Sequence, residues 1–157
     1  VMAMKFVMAT SSDRFIQECR RMLGHIPGIE FRTGSIAETG WDCDAAILNS
    51  PLAHERYGGS PRIGSVQVLV NHRDDGAPGI ILATAPIDFD SATASPLAEE
   101  IGMHVQKSLG ACTSAFAREF SEEASILIHL EGAGIDRPDI KAPLAGVLKF
   151  LEEYQRS

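Results

Sequence analysis

Apolar and polar positions alternate along this chain with two different periods. Lys5 to Thr10 is a short apolar run, and Ser11 or Ser12 can cap a helix whose inward positions are Phe15, Ile16, Cys19, Met22 and Leu23. Gly24 and Pro27 end that helix. Ile29 to Thr33 alternates apolar and polar before Gly34-Ser35, and Ala45 to Leu48 is a compact apolar run suited to a strand covered on both faces. Ser65 to Val70 suits either a short helix or a strand, and Ile80 to Ala85 is a further buried strand closed by Pro86. Ser95 and Pro96 then open a long helix with Leu97, Ile101, Val105, Leu109, Cys112, Phe116 and Phe120 along one face, bent or divided at Gly110. The predicted order is β-α-β-β-loop-β-α-β-α, the alternation of a three-layer α/β domain with ligands at the carboxyl ends of its strands.

The last third carries the pattern on which the rest is organised. Ile126 to Leu130, interrupted by His129, reads as a buried strand, and Gly132-Ala133-Gly134 lets the backbone turn tightly. Ile140, Leu144, Val147, Leu148, Leu151 and Tyr154 follow at helical spacing. Strand, glycine turn and helix together make one half of a nucleotide-binding unit, in which phosphate rests on exposed backbone N–H groups. A second glycine-rich feature is the polar stretch from Ser50 to Gly64, expected as a long loop with Gly58 and Gly59 in it.

Composition narrows the class. At 157 residues and 45% hydrophobic, the chain is long enough for one continuous core, expected as a single domain over 1–157. Cys19, Cys43 and Cys112 are odd in number and lack metal-ligand spacing, so buried thiols are expected and no metal or cofactor is implied. A net charge of −7 argues against a nucleic-acid partner, whose backbone needs Lys and Arg to replace its counterions. With no charged-then-apolar leader and no apolar run near the ~20 residues of a membrane span, the expectation is a soluble, cytoplasmic protein without a membrane partner.

Candidate chemistry clusters in the Ser50–Gly64 stretch. Arg56 can pair with a diphosphate through its fork of donors, and Tyr57 can cover a ribose or a ring. His54 or Glu55 can take a proton from a positioned water, His54 being better matched near neutral pH, whereas a plain solvated loop is the competing reading. His129 reads as a hydrogen-bonded core residue. Asp136 either restrains a ligand hydroxyl or caps the last helix, and Asp88-Phe89-Asp90 offers too few ligands for a cation.

Taken together, these stretches resemble the macro domain, the ADP-ribose-binding module, over nearly the whole chain. Arg32-Thr33-Gly34-Ser35-Ile36 is similar to the family's strand ending in Gly-Asp-Ile, and Asp44-Ala45-Ala46-Ile47-Leu48 is similar to the Asp-Ala-Ile-Val strand that comes next. Gly58-Gly59, beside Ser60, falls where the first phosphate loop carries its glycines, and Gly132-Ala133-Gly134-Ile135-Asp136 matches the second. The resemblance implies a macro-like α/β/α domain with a mixed central sheet, binding ADP-ribose or a related nucleotide diphosphate at Ser35, Ile36 and both loops. Hydrolysis of an ADP-ribosyl linkage is the activity it would add. Two positions depart from the family. Ser35 replaces an Asp that accepts from the adenine amino group, and the column of a ribose-facing Asn falls on Pro51, leaving Asn49 two residues earlier as the nearest candidate. An interaction module that has lost the nucleotide is the alternative.

Overall fold

The computed structural model describes residues 4–60, 66–85 and 97–156. In chain order the elements are β1 (Met4–Thr10), α1 (Asp13–Leu23), β2 (Ile29–Thr33), α2 (Ile36–Gly40), β3 (Ala45–Asn49), α3 (Ser50–Tyr57), β4 (Gln67–Val70) and β5 (Ile80–Thr84). They continue with α4 (Ala98–Glu119), β6 (Ala124–His129), α5 (Leu130–Ala133) and α6 (Lys141–Arg156). The fold is α/β, with a mixed six-stranded sheet in the order β2-β1-β6-β3-β5-β4. All neighbours are parallel except β4, which runs antiparallel to β5 with Val68 opposite Leu82.

The near-continuous apolar runs form central strands because both of their faces are covered. Met4, Phe6 and Met8 of β1 join one apolar cluster, while the intervening Val7 and Ala9 join another. The same alternation places Ile126 and Ile128 of β6 on one face and Leu127 on the other. On the larger face lie α1, α4 and α6, contributing Cys19, Val105, Leu109, Phe116, Val147 and Phe150 among others. Phe6 anchors this side, with the Phe150 and Tyr154 rings edge-on to it at 5.4 and 5.3 Å. The smaller face is covered by Ile36 at the start of α2 and by Leu52, Ala53 and Tyr57 of α3.

Several expectations are met by specific devices. Ser12 is the cap of α1, its hydroxyl accepting from Phe15 N at 3.2 Å. Gly110 does not divide α4, which runs unbroken from Ala98 to Glu119. Gln67–Val70 is a strand, which decides between helix and strand for the ambiguous stretch apart from Ser65, which lies outside the described residues. Two expectations are corrected. The polar stretch after β3 is not a long loop, because Ser50–Tyr57 is helix α3, started by the Asn49 side chain with Pro51 in its first turn. A helix was also missed at Ile36–Gly40, although Ser35 and Glu38 form a reciprocal capping box whose Ser-x-x-Glu spacing is visible in the sequence. Gly64, Pro86, Asp88-Phe89-Asp90 and Ser95-Pro96 lie outside the described residues.

The chain order positions the cleft described below. From β1 the chain passes through α1 to β2 at one edge, then crosses back over β1 and β6 to reach β3. Strand order reverses there, and the loops leaving β1 and β3 part, which opens a crevice outside the carboxyl ends. Arg32 of β2 ties the edge strand to the end of α2, donating to Glu30 at 2.7 Å, Asp42 at 2.6 Å and Thr39 O at 2.8 Å.

Two predictions follow from this packing. A Cβ on Gly146 of α6 would sit 2.2 Å from Gly102 O of α4, whereas one on Gly102 would meet its nearest neighbour at an ordinary 3.4 Å. Gly146→Ala should therefore lower stability by about 1–3 kcal/mol in urea titration, with Gly102→Ala close to neutral. The Arg32 bonds hold the Asp42 carboxyl below its ordinary range, and hydrogen bonds from Lys5 and Arg32 do the same for Glu30. A depressed carboxylate contributes stability above its unfolded value and loses it as pH falls through the folded one. The stability gap between wild type and Arg32→Met, small because these groups are partly exposed, should thus be present at pH 7 and vanish toward pH 2, measured by thermal melts.

Candidate functional site

A cavity of about 320 Å³ opens at the carboxyl ends of β1, β2, β3 and β6. Ser11 enters it from the end of β1, and Ser35, Ile36 and Ala37 from the start of α2. Leu52, Arg56 and Tyr57 line it from α3, and Asp75 and Ala77 from the loop between β4 and β5. Its floor is His129, Glu131 and Gly132 at the end of β6. Five of the sequence-predicted residues are therefore brought together: Ser35, Ile36, Arg56, Tyr57 and Gly132.

The floor is held by polar side chains bridging strand ends. His129, 3% exposed, lies with Nε2 2.9 Å from Gly34 O after β2, and its Nδ1 accepts from Gly132 N at 3.1 Å. Since Nδ1 accepts, the proton belongs on Nε2, which donates to Gly34. The other side of the Gly132 peptide is engaged too, its carbonyl accepting from Asn49 Nδ2 at 2.8 Å, while Asn49 Oδ1 accepts from Leu52 N at 3.0 Å. A side chain at Gly132 would crowd its neighbours, because a Cβ would lie 2.9 Å from Leu48 Cδ2 and 3.0 Å from Ile36 Cδ1, and those side-chain ends would have to give way. Gly134 adopts φ 74°, left-handed backbone that closes α5, and a Cβ there would press on the Asn49 amide at 3.3 Å.

These contacts place the expected catalytic set apart from the cavity. Asn49 directs both ends of its amide into backbone groups of the fold, so it clips α3 to the β6 turn instead of facing a ribose. His54 Nδ1 lies 2.7 Å from Gly59 O, and Glu55 is exposed on α3; neither lines the cavity. The two glycine bends do not converge as expected. Gly58 and Gly59, at φ 90° and 78°, close the far end of α3, and Ser60 is bonded through N and O to the Gln67 amide of β4 at 2.8 and 2.7 Å. Ala133 and Ile135 turn into the larger core, and Asp136 is exposed outside the cavity.

The cleft also holds two carboxylates that the sequence reading passed over. Asp75 Oδ1 accepts from Asn71 Nδ2 at 3.0 Å and Ala77 N at 3.1 Å, and its Oδ2 accepts from the Tyr57 hydroxyl at 2.7 Å. Burial alone would raise the Asp75 carboxyl, but these hydrogen bonds and the nearby Arg73 charge outweigh it and hold it below its ordinary range. Burial, reinforced by Asp75, pushes the Tyr57 hydroxyl up to about 12, so it stays a proton donor at neutral pH. Glu131 reaches across to β1, where the Thr10 hydroxyl lies 2.8 Å from both carboxylate oxygens and Ser11 N donates to Oε1 at 2.6 Å. Its charge, after burial, helps push the Cys19 thiol up to about 12, which leaves that cysteine unreactive. A Thr-Ser-Ser at a strand end facing a Glu-Gly at another was the available signal, but pairing residues 121 positions apart requires the sheet order.

Among the described residues no group of three or more His, Cys, Asp or Glu side chains is placed to hold a metal ion, and no helix is long and apolar enough to cross a membrane. As a positioning residue, Asn49 has a stability signature. Asn49→Ala removes the cap of α3 and orphans the Gly132 carbonyl, and should cost about 1–3 kcal/mol in chemical denaturation. An unchanged midpoint would place Asn49 outside the scaffold. No family model, curated protein or solved structure matches the chain.

Proposed function

We propose that the chain is a divergent macro-type domain of three-layer α/β/α build that binds ADP-ribose or a related nucleotide diphosphate in the cleft at its strand ends, without hydrolysing it. The observation that carries this reading is the position of the cavity, at the reversal of strand order and outside the carboxyl ends of four parallel strands, where α/β folds take their ligands. Its volume of about 320 Å³ lies within the ~300–1,000 Å³ of small-molecule sites. Arg56 supplies the planar fork of donors suited to a diphosphate, while Ile36, Leu52 and the Tyr57 ring supply apolar cover for a sugar or base.

Binding without turnover is favoured by where the expected catalytic groups lie. Proximity and orientation supply most of the rate in a hydrolysis of this kind, and Asn49, His54 and Glu55 are all directed elsewhere. Tyr57, held protonated, is no base near neutral pH. Isothermal calorimetry with ADP-ribose should give micromolar affinity, about 8 kcal/mol. Arg56→Ala should weaken it about ten- to a hundredfold, the loss of a charge-assisted bond. Purified protein should release no ADP-ribose from modified proteins. Absence of binding at millimolar ADP-ribose would overturn the proposal in favour of an interaction module without a nucleotide.

A further inference from the structure

Asp75 and Glu131 both bring negative charge to a cleft read here as holding an anionic ligand, yet they differ in what their oxygens have left to offer. Asp75 is the more fully engaged: Asn71, Ala77 and Tyr57 donate to three of its roughly four sites, and Arg73 stands 3.9 Å away. It braces the loop between β4 and β5 against α3. Among the described residues Glu131 receives two donors, the Thr10 hydroxyl and the Ser11 amide. An ionised carboxylate has about four lone-pair sites, so roughly two remain, on a side chain that lines the cavity. Neither donor leaves it freedom to turn away, since Thr10 is fully buried and Ser11 N is backbone.

We propose that Glu131 is the specificity-determining residue of the cleft, accepting two adjacent hydrogen-bond donors of the ligand, such as neighbouring sugar hydroxyls or an exocyclic amino group. The inference rests on the cleft being the nucleotide site. A phosphate is excluded from this end twice over. Glu131 carries like charge, and it already occupies the Ser11 N–H that an oxyanion would seek at the bend into α1. The anionic part of the ligand is left to Arg56 on the α3 wall. Ser35, whose hydroxyl accepts from Glu38 N in the capping box, does not have to be the acceptor for the base.

The test uses the whole chain with two variants. Glu131→Gln keeps an oxygen for the Ser11 amide and removes the charge; Glu131→Ala opens the pocket. Calorimetry is run with ADP-ribose, with its hypoxanthine counterpart lacking the amino group, and with its 2′-deoxyadenosine counterpart. Glu131→Gln should bind ADP-ribose about tenfold more weakly than wild type. The analogue missing the donor that faces Glu131 should show a similar penalty with wild type and none with Glu131→Gln, which identifies the group read. Equal affinity of wild type and Glu131→Gln for ADP-ribose, or penalties that persist in the variant, overturns the assignment. Inorganic phosphate decides it independently. It should raise the melting temperature of Glu131→Ala more than that of wild type, and an equal response in the two proteins overturns it. Should ADP-ribose fail to bind wild type, the nucleotide reading falls, and the phosphate response still decides whether Glu131 shuts anions out.

Discussion

One peptide group governs how the carboxyl ends of the strands are arranged. The N–H of Gly132 donates to His129, its carbonyl accepts from Asn49, and His129 reaches on to Gly34, so the ends of β6, β3 and β2 are joined by hydrogen bonds through two side chains. Buried backbone groups left unpaired are costly, and each partner here satisfies one that the surrounding strands cannot reach. Without these bridges the turn after β6 would have no fixed relation to the start of α3, and the cleft would lose the common boundary of its floor and wall. Glycine suits 132 for the same reason, because a side chain there would push against the ends of Leu48 and Ile36 beside the gripped peptide.

The parts of the fold legible in the sequence are those where burial dictates pattern. Ala45 to Leu48 and Ile126 to Ile128 are apolar at successive positions because each strand is packed on both faces, and α4 and α6 display the spacing of helices with one buried stripe. Helix α3 escaped notice because only Ser50 and Ala53 are buried along it, leaving no periodic apolar signal in His54, Glu55, Arg56 and Tyr57. Its start depends on a cap by Asn49, a residue whose amide could as readily have served a ligand. Residue type alone is no guide at Trp41, a large apolar side chain that is 71% exposed.

The site was legible only where residues act from their own element. Arg56, Tyr57, Ser35, Ile36 and Gly132 meet at the cleft as the glycine turns and polar cluster suggested. Glu131 and Asp75 were invisible because their significance comes from partners, Thr10 and Ser11 in one case and Tyr57 in the other, which sequence distance conceals. Conversely, Gly58 and Gly59 were overvalued. Their positive φ angles are needed to leave a helix and meet β4, a task that produces the same sequence as a phosphate loop.

The unequal covering of the sheet has a bearing on motion. The larger apolar cluster is bound by three long helices, whereas the smaller one rests on the short α2 and α3. Local opening is easiest where few apolar groups are buried, so amides of α3 should exchange with solvent ahead of those in β1 and β6. A guest held between Arg56 and the β6 turn would span the loosely and the firmly anchored halves of the molecule, and its free energy of association would be shared with the closing of that wall.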